Sequence, residues 1–128
     1  MQHVVTKTVA ASEGQVQQAV TYTASSTTGL DESIASNATN YLINIAIDVS
    51  EIESIYIYAD QDLTIKTNSS GAPDNTINLN GGTPFEWQSD SYYTNLLTTD
   101  ITKIYVTNAS SPATATTLYL RVLQDATP

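Results

Sequence analysis

The residues that most enzymes use for nucleophilic or metal chemistry are almost absent from this sequence. Histidine occurs once, at His3, and cysteine does not occur at all. A serine nucleophile needs a base beside it, and zinc sites are built largely from histidine and cysteine side chains. The sequence therefore predicts a protein that is not an enzyme, with no catalytic residues, no metal site and no cofactor.

Carboxylates are the one plentiful group with catalytic potential, since 13 residues are Asp or Glu. Glycosidases use a pair of such groups, but sequence spacing does not tell which of them would lie together. The tightest acidic cluster is Asp60 and Asp62, whose oxygens could contribute to a calcium site. The fixed ligand spacing of a calcium loop is absent. We therefore expect both carboxylates to flank a turn and to accept backbone N–H hydrogen bonds.

Aromatic side chains suggest a different chemistry, the stacking of sugar rings. The candidates are Trp87, Tyr92, Tyr93 and Phe85, and jelly-roll folds include lectin domains. Phe85 and Trp87 lie two residues apart in a predicted strand and therefore share one face, which favours a place in the core or at an interface. Carbohydrate binding is accordingly the second interpretation of these residues.

The charge of the chain excludes two classes of partner. Thirteen acidic residues face four basic ones, which gives a formal net charge of -9. This charge repels nucleic-acid phosphates and anionic lipid headgroups. No apolar run reaches the roughly 20 residues needed to span a bilayer, so we expect a soluble protein that binds neither nucleic acid nor membranes.

The elements that position these residues are predicted to be strands, because apolar and polar residues alternate along most of the chain. In the clearest strand, at 40–49, Ile43, Ile45 and Ile47 share one face. We predict about nine strands in a two-sheet antiparallel sandwich, preferably a jelly roll. Their ranges are 4–10, 14–24, 40–49, 52–59, 63–67, 76–79, 84–88, 103–108 and 116–124.

Two long connections separate predicted strands. The connection at 25–39 contains Asp31 and Glu32, which favour one short helical turn before Ile34. The connection at 89–102 contains four large side chains, Tyr92, Tyr93, Leu96 and Leu97. Either these four residues fold back over an open end of the sandwich and plug its core, or they form a patch that binds a partner.

Two further segments are candidates for contacts between molecules. The strand at 52–59 has large residues on both sides, with Tyr56 and Tyr58 on one of them, so we expect it to be central or at a subunit contact. Residues 1–13 alternate at Val5 and Val9 and form either an arm that pairs with a neighbouring subunit or an ordinary first strand. We therefore divide the chain into residues 1–13 and a single sandwich domain at 14–128.

Three stretches of the sequence resemble small virion proteins of tailed bacteriophages that decorate or cement the capsid. They are IYIYADQDLTIKTNSS at 55–70, IYVTN at 104–108 and LRVLQD at 120–125. The resemblance implies a structural protein on the capsid exterior that binds the major capsid protein and stabilises the shell. It also implies a homo-oligomer, for which we favour a trimer over a dimer. The alternative is a carbohydrate- or receptor-binding module of a phage fibre or tail.

Overall fold

The computed structural model describes residues 2–11, 14–23, 26–90, 93–108 and 114–125. Within them the chain forms ten strands and a single short 3-10 turn at Val49–Glu51, and it has no helix of the length and apolarity that a membrane crossing requires. The strands are β1 Gln2–Ala11, β2 Gly14–Thr23, β3 Ser26–Ile34, β4 Tyr41–Ile47, β5 Ile52–Tyr58, β6 Leu63–Thr67, β7 Thr76–Leu79, β8 Phe85–Gln88, β9 Ile101–Thr107 and β10 Thr116–Gln124.

Eight of these strands form two antiparallel four-stranded sheets. The first sheet has the order β3-β10-β5-β8 and the second has the order β4-β9-β6-β7. From β3 onward, each connection between consecutive strands crosses from one sheet to the other. The exception is the connection from β6 to β7, which joins neighbours in the second sheet. This double winding is the jelly-roll topology, so the predicted fold class is confirmed.

The sandwich is held together by one apolar core between the sheets. Ile55, Ile57, Leu118 and Val122 point inward from the first sheet. Ile43, Ile65, Ile104 and Val106 point inward from the second sheet and are also buried. Burying a branched aliphatic side chain of this kind contributes about 1.5–3 kcal/mol relative to its exposure. The alternation seen in the sequence thus corresponds to the inner and outer sides of each sheet.

The segment at 25–39 is where the predicted structure is wrong. Instead of a loop with a helical turn, residues Ser26–Ile34 form β3, an edge strand that pairs antiparallel with β10. Asp31 and Glu32 do not cap a helix. They point to opposite sides of β3, and each binds a residue of another strand. Asp31 binds Arg121 on the outer side, and Glu32 accepts a hydrogen bond from the Tyr41 hydroxyl at 2.8 Å. That hydrogen bond joins β3 to β4 across the edge of the sandwich.

The N-terminal strands lie outside the two large sheets. β1 pairs with β2 along its whole length in a two-stranded antiparallel sheet, with Val5 opposite Val20 and Val9 opposite Val16. Residues 4–10 are therefore not the first strand of a sandwich sheet, which was one of the two expectations. The assignment of residues 1–13 to an arm, and of Val5 and Val9 to a partner contact, stays a prediction.

Candidate binding surfaces

Three tyrosines stand together on the outer side of the first sheet, and we call Tyr56, Tyr58 and Tyr119 the tyrosine face. The first two alternate with buried residues of β5, and Tyr119 lies directly opposite Tyr58 on β10. The ring centroids are 6.4 Å apart both between Tyr56 and Tyr58 and between Tyr58 and Tyr119. Tyr56 is 39% exposed and Tyr119 is 42% exposed. The patch is thus aromatic and open to solvent.

The environment of β5 confirms one of the two expectations for this strand and leaves the other open. β5 is a central strand, flanked by β10 and β8, as its composition predicted. Its outer side is buried at Ser54 but exposed at Tyr56, so the alternative that Tyr56 and Tyr58 lie at a subunit contact stays a prediction. Burial, with smaller contributions from Tyr58 and Glu86, raises the pKa of Tyr56 above its ordinary value. A tyrosine hydroxyl is already neutral near pH 7, and this shift keeps that of Tyr56 protonated, and able to donate a hydrogen bond, to a higher pH than usual.

Charged groups border the tyrosine face on both sides. Arg121 lies opposite Tyr56 on β10, and its Nη1 atom is 2.7 Å from Asp31 Oδ1 on β3. The same nitrogen also donates to the carbonyl oxygens of Leu30 and Leu120. Glu86 lies opposite Tyr56 on β8. An aromatic centre with a charged border is the arrangement found in many protein interfaces.

Two members of this surface, Tyr119 and Arg121, were not predicted from the sequence. The signal that could have identified Tyr119 is its place between Leu118 and Leu120, which are both buried. A strand with apolar residues on its inner side exposes the residue between them. The pairing of Tyr119 with Tyr58 depends on the register of β10 against β5, which sequence alternation does not give.

The connection before β9 divides the four large residues predicted to act together. Leu97 is 2% exposed and belongs to the core, so for this residue the plug interpretation is confirmed. Leu96 is 46% exposed and Tyr93 is 81% exposed, which leaves them available as a partner patch. Tyr92 lies outside the described residues. The adjacent leucines therefore point in opposite directions.

Phe85 and Trp87 pack against the core, as their shared face predicted. The Trp87 indole nitrogen donates a hydrogen bond to the Tyr93 carbonyl oxygen at 2.8 Å, which holds the connection close to β8. A shallow groove of about 210 Å³ lies between the edge strands β7 and β8, with Ile77, Leu79, Phe85 and Leu96 in its lining. These aromatics serve mainly as packing groups rather than as an open stacking platform.

The acidic pair at the end of β5 acts as a turn element. Asp62 Oδ1 accepts a hydrogen bond from the Gly81 backbone N–H at 2.7 Å, and Asp60 accepts one from the Thr116 hydroxyl. Gly81 packs so tightly that a Cβ atom there would lie 2.7 Å from the Asp60 carbonyl oxygen. Over the described ranges, no three His, Asp or Glu side chains are arranged to hold a metal ion. The expected hydrogen bond from a backbone N–H is thus found at Asp62, whereas Asp60 accepts one from a side-chain hydroxyl instead.

A second group of carboxylates surrounds the 3-10 turn. Asp48 caps it by accepting hydrogen bonds from the Ser50 N–H and hydroxyl, and these bonds lower the pKa of Asp48. The pKa of Glu51 is raised, first by desolvation and then by repulsion from Asp48, with Asp100 and Asp125 adding to it. Hydrogen bonds of the cap thus lower the pKa of Asp48, whereas desolvation and neighbouring negative charges raise that of Glu51.

The geometry defines the class of this protein as a jelly-roll β-sandwich with an exposed aromatic surface on its first sheet. Comparison of the chain with protein-family models, curated proteins and solved structures gives no match.

Proposed function

We propose that this chain is a non-enzymatic virion protein that decorates the outer surface of a tailed-phage capsid and stabilises it. One observation carries the proposal, the solvent-exposed tyrosine face with its border of Arg121, Asp31 and Glu86. Tyrosine and arginine are the residue types on which protein interfaces rely most for binding energy. Some viral capsid domains have the jelly-roll fold. Because one fold hosts many functions, the fold supports the proposal less strongly than the tyrosine face does.

The mode of action is the bridging of capsid subunits. In this proposal the tyrosine face contacts the major capsid protein, and the chain acts as a homo-oligomer, for which a trimer is favoured. Each site on a repeating shell is modest in affinity, but linked sites reinforce one another through their high effective concentration. A protein of this kind needs a rigid scaffold with an exposed contact surface, and it has no need of a catalytic pocket.

The test uses capsids of the encoding phage from which this protein has been removed. Wild-type protein is expected to co-sediment with these capsids and to raise the temperature at which they disrupt. The double variant Y56S/Y119S is expected to bind about 30-fold more weakly, as for the loss of a strong interface residue. Its own melting temperature should fall by only a few degrees, since neither side chain belongs to the core, and binding is measured well below that temperature.

The matched control is Y93S/L96S, which removes an exposed aromatic and aliphatic pair outside the tyrosine face. It should bind capsids like the wild type. If the control loses binding and Y56S/Y119S retains it, the contact surface is the 93–96 segment and the tyrosine face is wrong. Wild-type protein that leaves capsids unbound and no more stable would contradict the proposed function itself.

A carbohydrate- or receptor-binding module of a phage fibre or tail is the second candidate. The observation in its favour is the same set of tyrosine rings, since exposed aromatic rings also stack against sugars. Binding of the isolated domain to a glycan array, lost in Y56S/Y119S and accompanied by no affinity for capsids, would favour this candidate over the first.

A further inference from the structure

The outer side of the second sheet carries a surface unlike the rest of this acidic protein. Its central row is Leu42 on β4, Tyr105 on β9 and Lys66 on β6, which are cross-strand neighbours in that order. In the adjacent row Lys103 lies opposite Asn44. We call this surface the lysine face. The other outward residues of the four strands are all uncharged, and they are Ala46, Thr64, Thr76, Asn78 and Thr107.

The two lysines differ from Arg121 because, among the described residues, neither lies within ion-pair distance of a carboxylate. The chain has 13 acidic and four basic residues, so a basic side chain has many possible acidic partners. Arg121 uses one, at 2.7 Å from Asp31. Over the part of the chain that the structure describes, neither Lys66 nor Lys103 forms an ion pair, and the Lys66 ammonium donates to the Ser70 carbonyl oxygen at 3.1 Å. Two of the four lysine and arginine residues thus stand among outward strand residues of β4, β6, β7 and β9 that include no carboxylate.

Apolar surface accompanies this positive charge. Leu42, near the start of the edge strand β4, is 46% exposed, and the partly exposed Tyr105 ring lies next to it on β9. A patch that combines an aliphatic side chain, an aromatic ring and unpaired cations resembles a protein-binding surface in composition. Electrostatic complementarity then selects partners that bear the opposite charge.

We propose that the lysine face is a second interaction surface that binds a carboxylate-rich surface of another protein. A nucleic acid would have to approach a chain of net charge -9, which its phosphates oppose. A symmetric contact with a second copy would bring lysines against lysines. The lysine face and the tyrosine face lie on opposite sides of the sandwich, so both can be occupied together. This inference does not depend on the capsid assignment.

The probe is a soluble random copolymer of glutamate and tyrosine, which offers carboxylates and aromatic rings to the full-length protein. Binding at low ionic strength is followed by the backbone amide shifts of isotope-labelled protein. We expect saturable shifts on β4, β6 and β9, centred on Lys66, Lys103 and Tyr105. Exposed ion pairs each change affinity by a factor of about two to five, so K66Q/K103Q should bind about fivefold more weakly or worse.

The matched control is S36E/T99E, which changes the net charge by the same amount at two exposed loop positions. It should bind almost like the wild type, because the local charge of the lysine face is intact. If K66Q disturbs the neighbouring loop through the lost contact with Ser70, K103Q alone carries the test. Equal weakening in the control, shifts centred elsewhere, or no saturable binding would overturn the inference.

Two further probes separate the chemical classes of partner. Polygalacturonate presents carboxylates on a glycan, and a poly-dT oligonucleotide presents phosphates. Tighter binding of either one than of the peptide copolymer would also overturn the assignment to a protein partner. Capsids play no part in this assay, so its failure and the failure of the capsid proposal can be told apart.

Discussion

Replacing Leu97 by alanine removes most of a side chain that seals the sandwich near the open side between β7 and β8. Leu97 is 2% exposed and belongs to the core, although its chain segment forms no strand. A leucine-to-alanine change at a buried site costs about 2–5 kcal/mol, because transfer energy is lost and a cavity remains. Taking about 3 kcal/mol, and about 4 °C per kcal/mol for a domain of this size, we expect the melting temperature to fall by about 12 °C.

The adjacent Leu96 provides the matched control. It has the same chemistry and is 46% exposed, so its replacement by alanine removes less buried surface and leaves no enclosed cavity. We expect L96A to cost about 1 kcal/mol or less, which corresponds to about 4 °C. The large difference between neighbouring positions is the signature of a plug, whereas a partner patch would give two small and similar losses of stability.

Tryptophan fluorescence is a direct assay for this effect. The chain has one tryptophan, Trp87, and its indole donates to the Tyr93 carbonyl in the same connection as Leu97. Thermal unfolding followed by this signal reports both global stability and any local release of the connection. Equal melting temperatures for L97A and L96A, or a loss below 1 kcal/mol for L97A, would refute the view that Leu97 seals the core.

Three other predictions concern ionisable groups, two of them native and one introduced by substitution. At pH 7, E51Q should raise the melting temperature, because the raised pKa of Glu51 means that its charge destabilises the fold above that pKa; the gain should disappear below about pH 4. D48N should lower the melting temperature at pH 7, since the lowered pKa of Asp48 marks a stabilising charge. That stabilisation is lost only as the pH falls through the pKa of Asp48 in the folded protein. Equal effects of the two variants would contradict this assignment. N108D should cost several kcal/mol at pH 7, because the fully buried Asn108 amide donates to the carbonyls of Ala35 and Thr114 and a carboxylate would face both of them unpaired. Calorimetry at several pH values checks this, since the loss should shrink as acid protonates the new side chain, and a loss that does not vary with pH would contradict it.

Strands with strong alternation could be predicted from the sequence because the sandwich core selects one side of each. The buried residues of one strand are separated by an even number of positions, as are Ile43 and Ile47 in β4, and Ile104 and Val106 in β9. β3 lacked this signal because only Leu30 and Ile34 are apolar on its inner side, while Glu32 occupies the position between them. An edge strand tolerates such a residue at the rim, where Glu32 reaches the Tyr41 hydroxyl.

The direction of side chains in irregular segments could not be predicted for a related reason. Periodicity assigns a side to each residue only where the backbone repeats, and the segment that holds Leu96 and Leu97 does not repeat. Two adjacent leucines then carry no information about which one is buried. The hydrogen bond from Trp87 to the Tyr93 carbonyl, which helps to fix this segment, depends on tertiary structure alone.

The two proposed surfaces depend on the jelly-roll order in the same way. β10 lies next to β5 and β9 lies next to β6, so the winding brings Tyr119 to Tyr58 and Tyr105 to Lys66 from distant parts of the chain. A slip of one residue in β10 would turn Tyr119 into the core and Leu118 or Leu120 into solvent. The same slip in β9 would bury Lys103 and Tyr105. Because the core forbids both slips, each surface exists only in the correctly paired fold, and a partner that binds either face therefore binds the native register.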